Sequence, residues 1–186
     1  MNMVVALTGA TGVYAAKVLI EAAPWPVTLV ASDQGRAIYE KECGAFDLLA
    51  ARAAEVYADS DLTAPIASGS VPTLGMVILP CTANTLGKIA QGIGDTLITR
   101  AAHCHLKEQR KLILCVRETP WSLINIRNAE DVAAAGGIIM PMSPPFYMMA
   151  GRDPASVTMA ELLKAYVDRV LSVMGDVSRD NWSTVR

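Results

Sequence analysis

GMVILPCTANTL, residues 75–86, joins a short apolar run to a group of small polar residues. The run stops at a proline, and Thr82, Asn84 and Thr85 follow where a helical pattern begins. A short, continuous apolar run favours a strand that is buried on both faces, as in a parallel sheet. This stretch therefore predicts a central strand that leads into a helix, with polar side chains at the junction.

Four more runs of this kind recur along the chain, separated by segments with helical periodicity. Alternating strands and helices are typical of a sheet covered by helices on both faces. We therefore predict an α/β fold, a three-layer, Rossmann-like or flavodoxin-like open parallel sheet, as one domain over residues 1–186 with an oligomer-contact extension at 176–186. The predicted strands cover residues 3–9, 27–32, 75–81, 111–116 and 136–141, and the predicted helices cover residues 12–23, 34–54, 84–108, 121–135 and 156–174.

The composition argues against several classes of protein. The net charge is −2, from 16 basic and 18 acidic residues, whereas a nucleic-acid-binding protein needs a basic surface. No segment approaches the roughly 18 apolar residues of a membrane span, and the amino terminus lacks the pattern of a signal peptide, so we expect a cytoplasmic protein that binds no membrane. Hydrophobic residues make up 52% of the chain, and because monomers rarely expose large apolar patches we expect a homo-oligomer.

The segment HCH, residues 103–105, brings together two histidines and a cysteine, residue types that bind zinc. Neighbouring side chains on a helix point in different directions, so His103 and His105 are expected to diverge. We therefore favour a packed helix over a metal site at this segment.

Polar clusters follow four of the predicted strands. In an open parallel sheet, ligands bind outside the carboxyl ends of the strands. Taken singly, the first cluster is also compatible with a tight turn and the third with an ordinary helix N-cap. Two helix starts that suit a phosphate at one sheet edge nevertheless indicate a mononucleotide ligand. The clusters are TGATG (8–12), SDQG (32–35), PCTANT (80–85) and RETP (117–120).

Several charged or polar side chains lie outside these turns or at their ends. Arg100 and Lys107 are seven positions apart in a predicted helix and share a face; a solvated basic face is the alternative interpretation. Arg117 and Glu118 directly follow an apolar strand, where an unpaired buried charge is costly. We therefore expect this pair to contact neighbouring side chains or a ligand. Tyr147 lies in a proline-stiffened loop, where packing is the alternative to ligand binding.

The order of these motifs resembles that of the flavin prenyltransferases, the UbiX-like proteins of the homo-oligomeric flavin-containing cysteine decarboxylase superfamily. The resemblance implies an enzyme that binds reduced FMN and attaches to it, at N5 and C6, a dimethylallyl group from dimethylallyl monophosphate, without a metal. The product, prenylated FMN, is implied to serve a partner decarboxylase, and the implied assembly is a dodecamer. The motifs are TGATG, the serine at 32, SGS (68–70), LGMVILPCTANTL, RAAHCHLKE, LCVRETP and PPFY.

The resemblance also implies roles for individual residues. The implied FMN-binding residues are Gly9, Ala10, Thr11, Ser32, Thr82, Asn84, Thr85 and Arg117. The residues implied to bind the allylic phosphate are Arg100, Lys107, Tyr147 and Arg169. Catalytic roles are implied for Glu118 as acid and base, Glu42 as the acidic residue near the flavin, Lys107 and Thr11.

Three features depart from the family's pattern. Thr11 stands where a serine is common, and its extra methyl group restricts the hydroxyl. Asp33 stands where a lysine is usual, and its negative charge disfavours an anion nearby. The segment after Tyr147 is longer than usual, so Arg152 is a rival to Arg169 as the phosphate ligand.

Two other functions stay open at this point. PCTANT also resembles the PASANT element of FMN-dependent cysteine decarboxylases, but those enzymes place a histidine ahead of this element, whereas His103 and His105 follow it. The second alternative is an FMN-binding subunit without transfer activity that serves a decarboxylase complex, an alternative that Thr11 and Asp33 keep open. The sequence also leaves open whether the donor is a monophosphate or a diphosphate.

Overall fold

The computed structural model describes residues 1–143 and 146–178, which form a six-stranded parallel sheet. The strand order is β3-β2-β1-β4-β5-β6, so the order reverses between β1 and β4. No helix among the described residues is long and apolar enough to cross a membrane. The strands are β1 (Met3–Leu7), β2 (Val27–Ala31), β3 (Glu55–Ala58), β4 (Gly75–Cys81), β5 (Lys111–Val116) and β6 (Ile138–Ile139).

The described residues form seven α-helices, which are divided between the two faces of this sheet. Helices α1, α2, α3 and α7 pack on one face, and α4, α5 and α6 pack on the other. Short 3₁₀ turns at Pro65–Ala67, Phe146–Met149 and Pro154–Ser156 lie between them. The helices are α1 (Tyr14–Ala22), α2 (Asp33–Cys43), α3 (Phe46–Ala50), α4 (Ala83–Ala90), α5 (Leu97–Lys107), α6 (Leu123–Ala134) and α7 (Met159–Met174).

The central strands are apolar throughout because they are buried on both faces. In β1, Met3, Val5 and Leu7 belong to the core under α1 and α7. Val4 and Ala6 belong to the core under α4 and α5, and all five residues are fully buried. Successive side chains of a strand point to opposite faces, so a continuous apolar run fills two cores at once. The predicted fold class is confirmed.

Several predicted element boundaries are wrong, for local reasons. Strand β3 lies at the sheet edge with mostly exposed side chains, so it lacks the apolar run that marks the other strands. The predicted helix 34–54 ends at Gly44, which has a φ of 91°, and a second short helix follows. The predicted helix 84–108 is interrupted after α4, where Gly92 has a φ of 73°, and α5 starts after its N-cap Thr96. The predicted strand 136–141 is reduced to two residues. Residues 179–186 of the predicted extension lie outside the described residues.

Helix α2 approaches the end of β1 closely because residue 35 is a glycine. The Gly35 amide donates to Ser32 Oγ at 3.1 Å, which caps the helix. A Cβ atom at position 35 would lie 2.5 Å from the Leu7 carbonyl oxygen. The absence of a side chain therefore sets the distance between α2 and the sheet at this edge.

Gly35→Ala should destabilise the fold, because either the helix or the β1 backbone must move to admit the methyl group. We expect a loss of about 1–3 kcal/mol in the free energy of unfolding, measured by urea denaturation followed by circular dichroism. Gly94→Ala is the matched control, since a Cβ there meets His103 Cδ2 at 3.5 Å, an ordinary contact. Equal stability of the two variants would contradict this account of the α2 contact.

Candidate functional site

The hydroxyl of Thr8 connects the carboxyl ends of β1 and β4. Its Oγ1 donates to the Pro80 carbonyl oxygen at 2.8 Å and accepts from the Thr82 amide at 2.9 Å. The Thr8 side chain is buried, with only 3% of the residue exposed. Because the strand order reverses between β1 and β4, this hydrogen-bonded link lies at the point where ligands bind in open α/β sheets.

A cleft of about 290 Å³ opens beside this link. Its walls come from the ends of β1, β2, β3 and β4 and from the starts of α2, α4 and α5. Hydroxyl groups are the most frequent side-chain functional group among its lining residues. These residues are Thr8, Gly9, Ser32, Gln34, Asp59, Thr82, Asn84, Thr85, Lys88, Thr96, Ile98 and Thr99.

Three helices begin at the cleft, and each has a hydroxyl residue as its N-cap. Ser32 caps α2, Thr82 caps α4 and Thr96 caps α5, each by accepting from a backbone amide three residues later. The amino-terminal end of a helix carries a partial positive charge and free amide donors. Three such ends at one cleft favour a phosphate or another anion.

The predicted flavin-binding residues other than Arg117, which follows β5, divide between this cleft and the turn beside it. Gly9, Ser32, Thr82, Asn84 and Thr85 line the cleft. Ala10 and Thr11 follow Gly9 in the turn and are not lining residues; Ala10 is buried, whereas Thr11 is exposed.

Glu42 belongs to α2, but its carboxylate lies at the start of α1, one of the two helix starts that the sequence predicts to suit a phosphate. Its carboxylate accepts from the Gly12 amide at 3.0 Å and from the Val13 amide at 3.1 Å. The residue predicted to act near the flavin therefore contacts the end of the same turn that carries Gly9. In this arrangement, a side-chain carboxylate of the chain itself occupies the amino-terminal end of α1.

Arg117 and Glu118 lie at the end of β5, next to the end of β4. The Arg117 amide donates to the Cys81 carbonyl oxygen at 3.0 Å, but its buried Nε has no hydrogen-bond partner among the described residues. The Glu118 carboxylate accepts from the Thr119 amide at 3.0 Å, and the Glu118 carbonyl accepts from Trp121 Nε1 at 2.9 Å. The sequence predicts a partner for Arg117, and an unpaired buried N–H is costly unless a ligand accepts from it.

The predicted phosphate-binding cations on α5 lie beside the segment that follows the 3₁₀ turn Pro65–Ala67. Arg100 Nε donates to the Ala67 carbonyl oxygen at 3.0 Å. Lys107 Nζ lies 3.1 Å from Glu108 Oε1, next to Gly69. Both charges therefore face the same segment of backbone, further along α5 than the cleft.

Tyr147 and Arg169 come from other parts of the fold. Tyr147 is 37% exposed in the turn Phe146–Met149. Arg169 lies on α7, which packs on the opposite face of the sheet from α5. Arg152, the rival to Arg169, forms an ion pair of 2.7 Å with Glu161 at the start of α7. A single chain therefore does not bring Arg169 together with Arg100 and Lys107.

Seven residues that line the cleft have no binding role assigned from the sequence, although Thr8 and Gln34 fall within the polar clusters 8–12 and 32–35. Thr8 carries a signal, since it directly follows the β1 run, but the hydrogen bonds to residues 72 to 74 positions away are not visible in the sequence. Asp59 follows the unrecognised strand β3. Thr96 and Thr99 become visible only when the predicted helix 84–108 is divided. The full set is Thr8, Gln34, Asp59, Lys88, Thr96, Ile98 and Thr99.

The two histidines diverge as predicted. His105 is buried, its Nδ1 donates to the Ala101 carbonyl oxygen at 2.7 Å, and its Nε2 lies 2.8 Å from Thr73 Oγ1, which also accepts from Arg110. No group of three histidine, cysteine or acidic residues in the described chain is placed to hold a metal. The hydrogen bonds of His105 are those of a neutral, structural side chain that fixes residue 73 against α5.

The donors at this sheet edge fit a flavin mononucleotide. The hydroxyls and helix ends of the cleft suit its phosphate, and the buried Nε of Arg117 needs an acceptor of the kind that a flavin ring carbonyl provides. The residues present therefore match the cofactor that the sequence motifs imply.

Comparison with known proteins finds relatives that match nearly the whole chain. A family model described as Flavoprotein matches residues 1–172. The flavin prenyltransferase UbiX of Thermoplasma acidophilum is 38% identical over 177 residues, which are 94% of this chain and 95% of that protein. The crystal structure of AnUbiX in complex with FMN and dimethylallyl pyrophosphate superposes with a TM-score of 0.88 at 36% identity, covering 97% of this chain and 96% of that one. A dodecameric FMN-dependent UbiX-like decarboxylase from Escherichia coli has a TM-score of 0.86 at 34% identity, covering 94% and 95% of the two chains.

Thr8→Val should weaken the fold because it leaves the Thr82 amide without its acceptor. It also removes the stronger of the two donors to the Pro80 carbonyl, which keeps only the Thr8 amide at 3.2 Å. We expect a loss of about 1–3 kcal/mol in the free energy of unfolding. Thr63→Val is the matched control, because Thr63 is exposed and its loss should stay within about 0.5 kcal/mol. Similar losses in both variants would show that the Thr8 hydroxyl does not link the two strands.

Protonation of His105 should destabilise the fold in acid. Burial, reinforced by the charge of Arg110, lowers the pKa of His105 from 6.5 to about 4 despite its hydrogen bond to Ala101. The unfolded chain therefore takes up a proton that the folded chain excludes, so the contribution of His105 is complete above pH 6.5 and is lost as the pH falls towards 4.

Urea denaturation between pH 7 and pH 4 tests this sign. In the wild type, stability should fall with decreasing pH by up to about 1.4 kcal/mol per pH unit from this group, and His105→Gln should reduce that slope. His103→Gln is the control, because it leaves the contacts of His105 with Thr73 and Ala101 in place. An unchanged slope in His105→Gln would refute the assignment.

Proposed function

The chain belongs to the flavin prenyltransferase family, within the larger family described as Flavoprotein, and on that premise we propose that it transfers a dimethylallyl group to reduced FMN. The donor is dimethylallyl monophosphate, and the product, prenylated FMN, serves a partner decarboxylase. The observation that carries this proposal is the cleft at the β1–β4 switch point, where three capped helix ends and a row of hydroxyls meet. Arg117, whose amide bonds to the end of β4, adds a buried Nε without a partner among the described residues.

The residues of the cleft bind and orient the cofactor. Ser32, Thr82 and Thr85 hold the phosphate end through hydroxyls and nearby amides, and Gly9 with Ala10 and Thr11 forms the adjacent wall. The Nε–H of Arg117 donates to an acceptor on the ring system. When bound and reduced, FMN supplies the nucleophilic nitrogen and the ring carbon that take the allyl group.

The charged residues beside the cleft act on the departing phosphate. Negative charge grows on the phosphate as its bond to the allylic carbon breaks, and fixed cations lower the energy of that state. Arg100 and Lys107 supply two such cations on one face of α5, and Tyr147 supplies a hydroxyl. Glu118, on the loop that Trp121 holds, moves a proton between the ring carbon and the phosphate.

Homo-oligomer formation completes this phosphate site. Arg169 lies on the other face of the sheet from Arg100 and Lys107, so a second copy must supply it. The apolar side chains Leu123 and Ile124 on α6 are 60% and 70% exposed, which supports an interface there. We propose a dodecamer, the state named for the Escherichia coli relative, built from a single cytoplasmic flavoprotein domain.

The cysteine decarboxylase alternative is not favoured. Such an enzyme needs a histidine that contacts its substrate. Both nitrogens of His105 are hydrogen-bonded within the fold, and neither His105 nor His103 lines the cleft.

Anaerobic incubation with reduced FMN and dimethylallyl monophosphate tests the proposal, with dimethylallyl diphosphate in a parallel arm. We expect the flavin to gain the mass of one dimethylallyl group with the monophosphate, as measured by mass spectrometry of the released cofactor. Flavin that is bound but unchanged with both donors would support an FMN-binding subunit instead. Transfer from the diphosphate alone would reassign the donor.

Lys107→Met and Glu118→Gln should slow the transfer while FMN stays bound. Loss of a cation that stabilises the leaving phosphate should lower the rate about 10²–10³-fold, and loss of the proton carrier about 10²–10⁴-fold. Lys164→Met is the control, since Lys164 pairs with Asp168 at 2.8 Å on α7 and is as exposed as Lys107. Wild-type rates in the first two variants would remove the assigned roles.

A further inference from the structure

Lys88 is the one cationic side chain among the residues that line the cleft in the described chain. It lies on α4, one turn after Thr85, so the two residues share a helix face. The remaining charged residue of the lining is Asp59, whose carboxylate accepts from the Ile98 amide at 2.8 Å. The positive charge of the cleft therefore comes from helix ends and from Lys88.

Asp95 holds the Lys88 ammonium in place. Lys88 Nζ lies 2.8 Å and 3.0 Å from the two carboxylate oxygens of Asp95, the residue that directly precedes the α5 N-cap Thr96. The hydrogen bond from Lys88 lowers the pKa of Asp95. This contact ties α4 to the start of α5 and holds the ammonium near the amino-terminal end of α5.

The ammonium keeps capacity for a further acceptor. Lys88 has three N–H donors and Asp95 engages two of them at most, which leaves one for a ligand. The side chain of Lys88 is 29% exposed, against 53% for Asp95, so the lysine is on the more buried side of the pair. A phosphate monoester carries about two negative charges at neutral pH, and lysine binds such groups as a point charge.

We propose that Lys88 binds the phosphate of FMN and thereby makes the cleft prefer FMN to riboflavin. This inference rests on the proposed function, because that function supplies FMN as the ligand. The allylic phosphate is the less suitable partner, since its expected cations Arg100 and Lys107 lie further along α5 and outside the cleft lining. Lys88 is thus a cofactor-specificity residue that no motif of the sequence marks.

Binding of two flavins that differ only in the phosphate isolates this contact. The flavin-free protein is titrated with FMN and with riboflavin, and quenching of flavin fluorescence gives both dissociation constants for the wild type and for Lys88→Met. We expect Lys88→Met to raise the dissociation constant of FMN about tenfold, as for the loss of one charged hydrogen bond. That of riboflavin should change by less than about twofold, which also shows that the variant is folded.

Lys17→Met is the matched control, because Lys17 is also in a partly exposed ion pair, 3.2 Å from Glu21, but lies outside the cleft. It should leave both dissociation constants unchanged. Equal weakening of FMN and riboflavin by Lys88→Met, or no change in either, would overturn the inference while leaving the proposed function intact. If the wild type bound neither flavin, the proposed function itself would fail.

Discussion

The hydrogen bonds of one buried hydroxyl, that of Thr8, determine how the binding edge of this protein is built. The side chain joins the end of β1 to the end of β4, the two strands between which the sheet reverses its order. Because α1 and α4 pack on opposite faces of the sheet, the connections that leave β1 and β4 diverge, and the Thr8 link lies at the base of the gap between them. Gly9 and Thr82, on either side of the link, are then held as walls of the cleft.

The anion-binding groups of the cleft are mainly backbone amides, and this explains why its lining contains few charged side chains. Three helices direct their amide ends to one place, so small hydroxyl caps suffice where another fold would need several cations. Full charges are few and are fixed by partners: Asp59 by the start of α5, and Lys88 by Asp95. Arg117 differs, because its buried Nε has no partner within the described chain and can donate to a ligand.

The fold brings most of the predicted flavin-site residues together, but it does not do so for the predicted residues of the allylic phosphate site. Gly9, Ser32 and the polar residues after β4 follow strand ends, so a correct strand prediction was enough to bring them to one edge. Arg169 depends instead on where α7 packs after the last strand. It lies across the sheet from Arg100, and only contact between copies of the chain can bring the two together.

The sequence by itself determined the central strands and the polar clusters at their ends, because a strand buried on both faces must be continuously apolar and must stop where polar residues begin. The sequence did not reveal edge strand β3, because an exposed strand needs no apolar run. It also did not reveal the break between α4 and α5, because the helical pattern of apolar residues continues on both sides of the glycine turn. Only the tertiary structure decided that Thr8 meets Pro80, that Asp59 and Lys88 face one cleft, and that His105 is enclosed with Thr73. Those contacts depend on the order of the strands and on the direction of each helix. Neither property can be deduced from the local sequence pattern.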